Sequence, residues 1–222
     1  MIDVCHVDEA GFAPTSPMGY SWSPVGQPMK VFYESPSGRR INVIGGYFSH
    51  GPCAGRFEFE AWASVPESRA KNPRKGLEDR AKDHGLKPEE VGKLDAERVL
   101  SFLWKLAGRP LDLSSTEQAL WKRERPLMIP LDNYSVHHSQ TIQEAQPSLE
   151  AADVYLVYLP SYSPELSDIE PIWKAVKYHE ITRRSQSLLG NLKQTVEAAL
   201  HAKAEKLSSS VSQSLQLLHR PT

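Results

Sequence analysis

The chain has 222 residues, of which 40 % are hydrophobic and 24 % are charged, and its net charge at neutral pH is −1. This composition suits one globular domain with or without an appendage, and no apolar run approaches the ~18 residues that a membrane span needs. The near-zero charge excludes a basic signature over the whole chain, so any DNA binding must depend on local patches. Cys5 and Cys53 form no metal-ligand pattern, and the N-terminus has no signal peptide. We therefore expect free thiols and a cytoplasmic protein.

The first fifty residues predict three strands. These strands are Ile2–Asp8, Met29–Glu34 and Ile41–Phe48, and segments rich in Gly, Pro and Ser separate them. Apolar runs bounded by such turn residues are typical of strands that follow one another in an antiparallel meander.

Residues from about 54 to 93 predict an inserted surface segment, because basic and acidic residues nearly balance there. Arg74 and Lys75 close a run that carries four positive charges and no negative one. A solvated insertion is one interpretation of this run, and a DNA-contacting basic loop is the other.

The rest of the chain alternates between helices and strands. Predicted helices cover residues 95–107, 139–152, 168–184 and 188–207, and predicted strands cover 126–131 and 154–159. The Ser-rich residues 208–222 predict a flexible tail. The order favours an α/β domain over residues 1–207. Its mixed sheet would contain a three-strand antiparallel meander and parallel strands, with helices on the faces.

Three acidic residues occupy positions at which a site can form. Asp8 and Asp132 each end a predicted strand, and Glu170 follows the last strand through a short loop. The carboxyl ends of strands in an open sheet form the usual crevice for a site. Mg²⁺ prefers carboxylate oxygens, and two such ions can assist a displacement at phosphorus. Each acid alone could equally be a turn or capping residue, but together they predict an enzyme that cuts phosphodiesters.

The predicted helix at Glu170 adds a second pattern. Ser167 and Glu170 have the spacing of a capping box. On a helical wheel, Lys174 and Lys177 lie within about 40° of Glu170, so we expect these lysines to hold a phosphate backbone at the site. A solvated face is the alternative interpretation of the two lysines.

Four blocks of the sequence, at residues 7–12, 19–26, 131–139 and 159–173, resemble the mariner-like insertion-sequence transposases. The blocks are similar to the catalytic domain of these DDE-superfamily endonucleases, which have a ribonuclease H-like fold. The resemblance implies that Asp8, Asp132 and Glu170 are catalytic and bind Mg²⁺, replaceable by Mn²⁺, as a pair of ions. It also implies cleavage and strand transfer of DNA at transposon ends, with the ends and the target as DNA partners of a homodimer.

Three features depart from the family pattern. Asp8 and Asp132 are separated by 123 residues, and Ser167-Asp168 stands where the family commonly has Asn-Pro. The family's N-terminal helix-turn-helix domain is not part of this sequence, which starts at the first predicted strand. A non-catalytic DNA-binding or dimerisation remnant of a transposase is therefore the alternative function. A ribonuclease H-like nuclease that acts on branched DNA is a third.

Residues beside the predicted acids have simpler expected roles. Glu9 follows Asp8 and is expected on the opposite face of its strand. His137 and His138 follow Asp132 and are expected in a loop or at a helix start, rather than as metal ligands or proton shuttles.

Overall fold

The computed structural model describes residues 1–14, 23–27, 39–65, 76–161, 163–181 and 188–218. The described residues form one five-stranded sheet with the order β3-β2-β1-β4-β5. The strands are β1 (Asp3–Phe12), β2 (Arg40–His50), β3 (Phe57–Ser64), β4 (Leu127–Leu131) and β5 (Val154–Tyr158). The first three strands pair antiparallel, whereas β4 is parallel to β1 and β5 is parallel to β4. The predicted mixed sheet is thereby confirmed.

Helices cover both faces of the sheet. They are α1 (Leu77–Asp83), α2 (Ala96–Ala107), α3 (Ser115–Leu120), α4 (Gln140–Ala151), α5 (Glu170–Ala175) and α6 (Leu189–Leu218). One core cluster joins α2 and α4 to the sheet, and a second joins α5 and α6 to the other face. The predicted apolar stripe of the last helix is buried in the second cluster, as Leu189, Leu192, Val196 and Leu200. Burial of such stripes, at roughly 25 cal/mol per Å² of apolar surface, stabilises the layers.

Two predictions about the first half of the chain are wrong. Strand β1 continues past Asp8 to Phe12, because residues 9–12 keep their register with β2. Asp8 therefore lies inside a strand instead of at its end. The third strand of the meander is β3, which falls within the segment that was predicted to be a surface insertion. Met29–Glu34 lies outside the described residues.

The alternation of residues in β3 explains its place in the sheet. Phe57, Ala63 and the partly buried Phe59 and Ala61 pack into the core cluster on the α6 side. The intervening Trp62 packs into the cluster on the α2 side. A strand with apolar residues on both faces belongs between two helical layers.

The C-terminal third also differs from its prediction. Helix α6 continues to Leu218, so residues 208–218 are helical where a flexible tail was expected. The Ser209 and Ser210 hydroxyls each donate to the carbonyl four residues earlier, at 2.8 Å, which accommodates serine in a helix. The helix that was predicted over 168–184 is α5, followed by a π-helical turn at Val176–Glu180.

Two smaller predictions can also be compared with the structure. Cys5 and Cys53 are both free, as expected. Within the described ranges, no helix combines the length and the apolar character that a membrane crossing requires.

Candidate active site

The three predicted acids lie together in space. Asp8, Asp132 and Glu170 line one cavity of about 440 Å³. Asp8 comes from β1, Asp132 directly follows β4, and Glu170 is the first residue of α5. Because β1 and β4 are parallel neighbours, residues toward their carboxyl ends reach the same edge of the sheet. Most of the remaining lining belongs to the loops that follow β4 and β5.

Asp8 is a largely buried acid with one direct side-chain donor. The indole N–H of Trp173 donates to Asp8 Oδ2 at 3.0 Å, which connects α5 to β1. Burial raises the pKa of Asp8 to about 7, and a backbone N–H bond at Glu9 partly opposes this rise. The negative charges of Glu9, Glu170 and Asp132 raise the pKa of Asp8 further. Asp8 is therefore in a place where added positive charge would be stabilising.

Asp132 is held from two sides. The N–H of Tyr134 donates to Asp132 Oδ1 at 2.9 Å, which is an Asx turn. His137 Nδ1 lies 3.0 Å from the same oxygen. These contacts lower the pKa of Asp132, the hydrogen bond from His137 being the larger cause. Asp132 is therefore an ionised carboxylate with a fixed orientation.

His137 joins two parts of the site. The ring is fully buried, and its Nε2 lies 3.0 Å from Glu9 Oε1 while its Nδ1 faces Asp132. Because both ring nitrogens face carboxylates, both must donate, so the ring is an imidazolium. Burial alone would lower the pKa of His137, but the bonds to Asp132 and Glu9 raise it to about 10. His137 therefore connects β1 to the loop after β4.

Glu170 occupies the first turn of α5, as predicted, and is exposed. The predicted capping box is wrong, since the N-cap residue is Ile169 and no side chain caps the helix. A turn at Pro164–Leu166 precedes the helix instead, and it sets Ser167 apart from the helix start. The position of Glu170 therefore depends on how the segment before α5 is anchored.

A contact between His6 and Asp168 anchors that segment to β1. His6 Nε2 lies 3.3 Å from Asp168 Oδ2. His6 is buried, and within the part of the chain that the structure describes its Nδ1 has no partner. The proton is therefore placed on Nε2, which donates to Asp168 whether or not the ring is charged. His6 and Asp8 project from the same face of β1, so the contact brings the start of α5 toward Asp8. Asp168 stands at one of the positions that depart from the family pattern.

The predicted DNA-binding residues differ in their surroundings. Lys174 is exposed on α5, whereas Lys177 is half-buried in the π-helical turn with its Nζ 5.5 Å from the Phe12 ring centre. The angle predicted between Lys177 and Glu170 on a helical wheel does not apply, because the backbone changes to a π turn after Ala175. Arg74 and Lys75 lie outside the described residues.

The donor set in the cavity fits a hard divalent cation. The three acids offer only carboxylate oxygens, which Mg²⁺ prefers. Over the described part of the chain, no three His, Cys, Asp or Glu side chains stand close enough together to hold a metal ion. The acids line an open cavity, which suits an ion that keeps several waters as ligands.

Two functional contacts escaped the sequence-based interpretation. Trp173 is buried in the core, and its indole N–H also reaches Asp8. His137 does lie in a short helical turn, Ser135–His138, as predicted, yet it also bridges Glu9 and Asp132. The short spacing between His137 and Asp132 hints at their contact. No local pattern indicates the pairing with Glu9, which is 128 residues away.

The strand order and the flanking helices are those of a ribonuclease H-like domain. Residues 90–193 match the family model described as DDE superfamily endonuclease. This range contains Asp132 and Glu170. Asp8 lies outside the range and reaches the same cavity from strand β1. No match was found among the curated proteins.

Several solved structures with a similar fold are complexes of the Mos1 transposase. The paired-end complex with the left transposon end has a TM-score of 0.51 at 14 % identity. The mariner paired-end complex with Mn has a TM-score of 0.51 at 15 % identity. Each match covers 95 % of this chain and 55 % of the other. The strand transfer complex has a TM-score of 0.50 at 16 % identity, with coverages of 95 % and 54 %.

Residues 90–193 are therefore similar to the DDE superfamily endonucleases, and the chain has a ribonuclease H-like fold. It spans about half the length of the Mos1 chains that it matches. At these identities, the structural likeness establishes the fold.

Proposed function

We propose that this domain cuts DNA strands at transposon ends and transfers them to target DNA, using two Mg²⁺ or Mn²⁺ ions. Asp8, Asp132 and Glu170 would hold the ions. The observation that carries this proposal is that the three carboxylates line one cavity although they are distant in sequence. The Mn in one of the Mos1 complexes is consistent with the same donor chemistry.

The protein groups have separate roles in this proposal. When bound, two divalent ions supply charge that activates the attacking oxygen and stabilises the leaving one. His137 keeps Asp132 oriented, and Trp173 keeps Asp8 oriented, so the first two carboxylates need little rearrangement. Glu170 enters from α5, and its exposed position leaves room for a strand of DNA.

Positive side chains beside the cavity would position the DNA. Lys174 is exposed one turn after Glu170 and would contact a phosphate of the backbone. Lys177 would contribute from beside Phe12, and the basic run with Arg74 and Lys75 would add further positive charge. The paired-end arrangement of the Mos1 complexes supports a homodimer of this protein on two transposon ends.

A plasmid-nicking assay tests the proposal. Supercoiled plasmid is incubated with the protein and Mg²⁺, and open-circle DNA is measured over time. Asp132→Asn and Glu170→Gln should each lower the rate at least a hundredfold, because each removes a charged ligand. Glu165→Gln, on an exposed acid in the turn before α5, is the matched control and should nick at the wild-type rate.

Two results would refute the catalytic role. Equal nicking by wild type and both variants would remove these acids from the site. DNA binding by the wild type without nicking in Mg²⁺ or Mn²⁺ would favour the non-catalytic remnant.

A further inference from the structure

A second cavity, of about 290 Å³, adjoins the proposed active site. It shares Asp8, Asp132 and Tyr134 with the larger cavity, so the catalytic acids stand at the junction of the two. The sheet supplies much of its lining. Gly11, Asn42 and Trp62 are register partners across three adjacent strands, and all three line the cavity.

Hydrogen-bond donors dominate the part of this cavity that lies away from the acids. Arg40 is exposed and lies over Gly11, with its Cδ 3.6 Å from the place where a side chain on Gly11 would begin. None of the described residues forms an ion pair with Arg40. Trp62 is only 1 % exposed, and its indole N–H has no partner among the described residues. An indole N–H can only donate, so its partner must be an acceptor.

The acidic end of the cavity is partly neutralised. Glu9 and Asp132 both contact the His137 ring, which offers an N–H to each. Arg40 adds a positive charge at the other end. Asp8 also lines the cavity, so an anionic ligand is best placed at the Arg40 end, against the guanidinium and the uncharged donors. Arginine is well suited to phosphate because of its bidentate geometry.

The volume limits what can enter. Ligand pockets usually measure about 300–1,000 Å³, so this cavity is at the small end of that range. A single nucleotide suits this space, whereas a duplex does not. Tyr134 is 51 % exposed at the junction and offers an aromatic surface for a base.

We propose that this second cavity, the nucleotide shelf, binds one unpaired nucleotide of the DNA strand next to the phosphate at the acids. Its phosphate pairs with Arg40, and acceptors of its base face the Asn42 amide and the Trp62 indole N–H. This assignment rests on the proposed function, because it uses the same acids as its boundary. The shelf makes DNA with a single-stranded extension a better ligand than a blunt duplex.

A binding assay without cleavage tests the shelf. Fluorescein-labelled blunt duplex and the same duplex with a four-nucleotide single-stranded extension are titrated by anisotropy in Ca²⁺. The wild type should bind the extended duplex about tenfold more tightly. Arg40→Ala should remove most of this preference, leave blunt binding within twofold, and reduce the salt slope for the extended duplex by about one ion. Arg125→Ala, an exposed arginine outside the shelf, should keep the full preference.

The outcomes separate the shelf from the catalytic proposal. An unchanged preference in Arg40→Ala, or no preference in the wild type, would overturn the shelf even if plasmid nicking succeeds. A lost preference together with absent nicking would support the shelf and refute the catalysis. Arg40→Gln and Asn42→Ala repeat the test with small changes in volume, so the result does not depend on the folding of one variant.

Discussion

Ionisation of Asp8 should cost the protein a measurable part of its stability. Its pKa is raised from the ordinary 3.8 to about 7, chiefly by burial. Between these two values the folded protein keeps a proton that the unfolded chain has released, so the free energy of unfolding falls as pH rises through this window. At about 1.4 kcal/mol per pKa unit, the difference sets an upper limit of ~4 kcal/mol.

The substitution Asp8→Asn removes this cost. The amide oxygen can still accept the Trp173 indole N–H, so the packing is preserved. Free energies of unfolding are measured by urea titration in EDTA at pH 4, 6 and 8, for the wild type and the variant. The variant should be more stable by about 2–4 kcal/mol at pH 8 and nearly equal at pH 4. Asp112→Asn, an exposed acid between α2 and α3, is the control and should show no pH-dependent difference.

Divalent ions extend the same test. Mg²⁺ at a hundred times its dissociation constant should stabilise the wild type at pH 8 by about 2.7 kcal/mol. The same concentration should stabilise Asp8→Asn far less, because the variant lacks one ligand charge. If Asp8→Asn is less stable than the wild type at pH 8, or if the difference does not vary with pH, burial of an ionisable Asp8 is refuted.

Four further substitutions test individual contacts. His137→Gln should destabilise the fold by about 3–5 kcal/mol in urea titration, since it removes a buried cation between two carboxylates; a loss below 1 kcal/mol would contradict this. Lys174→Ala should lower the affinity for duplex DNA and reduce the salt slope of binding by about one ion. Lys177→Ala should have a smaller effect, because Lys177 is half-buried. Fluorescence anisotropy at several salt concentrations measures both effects. Asp168→Ala removes the contact between Asp168 and His6 and so frees the start of α5. The Mg²⁺ concentration that gives half-maximal thermal stabilisation should rise several-fold. An unchanged concentration would show that the contact does not position Glu170.

Periodic patterns allowed most elements of the fold to be predicted, and they failed where pairing partners decide. The apolar stripe of α6, the buried strand β4 and the partly buried strand β5 were predictable, because burial repeats with the period of the element. The alternation in β3 was also present in the sequence, but the charges around it favoured an insertion. Only its pairing with β2 makes that segment a strand of the sheet.

The candidate acids could be proposed from their places at strand ends and a helix start. The structural basis for the positions of Asp8 and Glu170 differs from the one that was predicted. Asp8 lies inside β1, so its link to the site comes from the loop of Asp132, from α5 and from the indole of Trp173. The capping box at Glu170 failed because a separate turn precedes α5.

The sequence by itself determined the layers of this protein, since hydrophobic periodicity is a local property that each segment carries. It also contained the three acids and their family resemblance. Only the tertiary structure decided that His137 bridges Glu9 and Asp132, that His6 meets Asp168, and that a second cavity adjoins the acids. These contacts join residues on different strands and loops. Their distances depend on strand order and register, which no short stretch of sequence specifies.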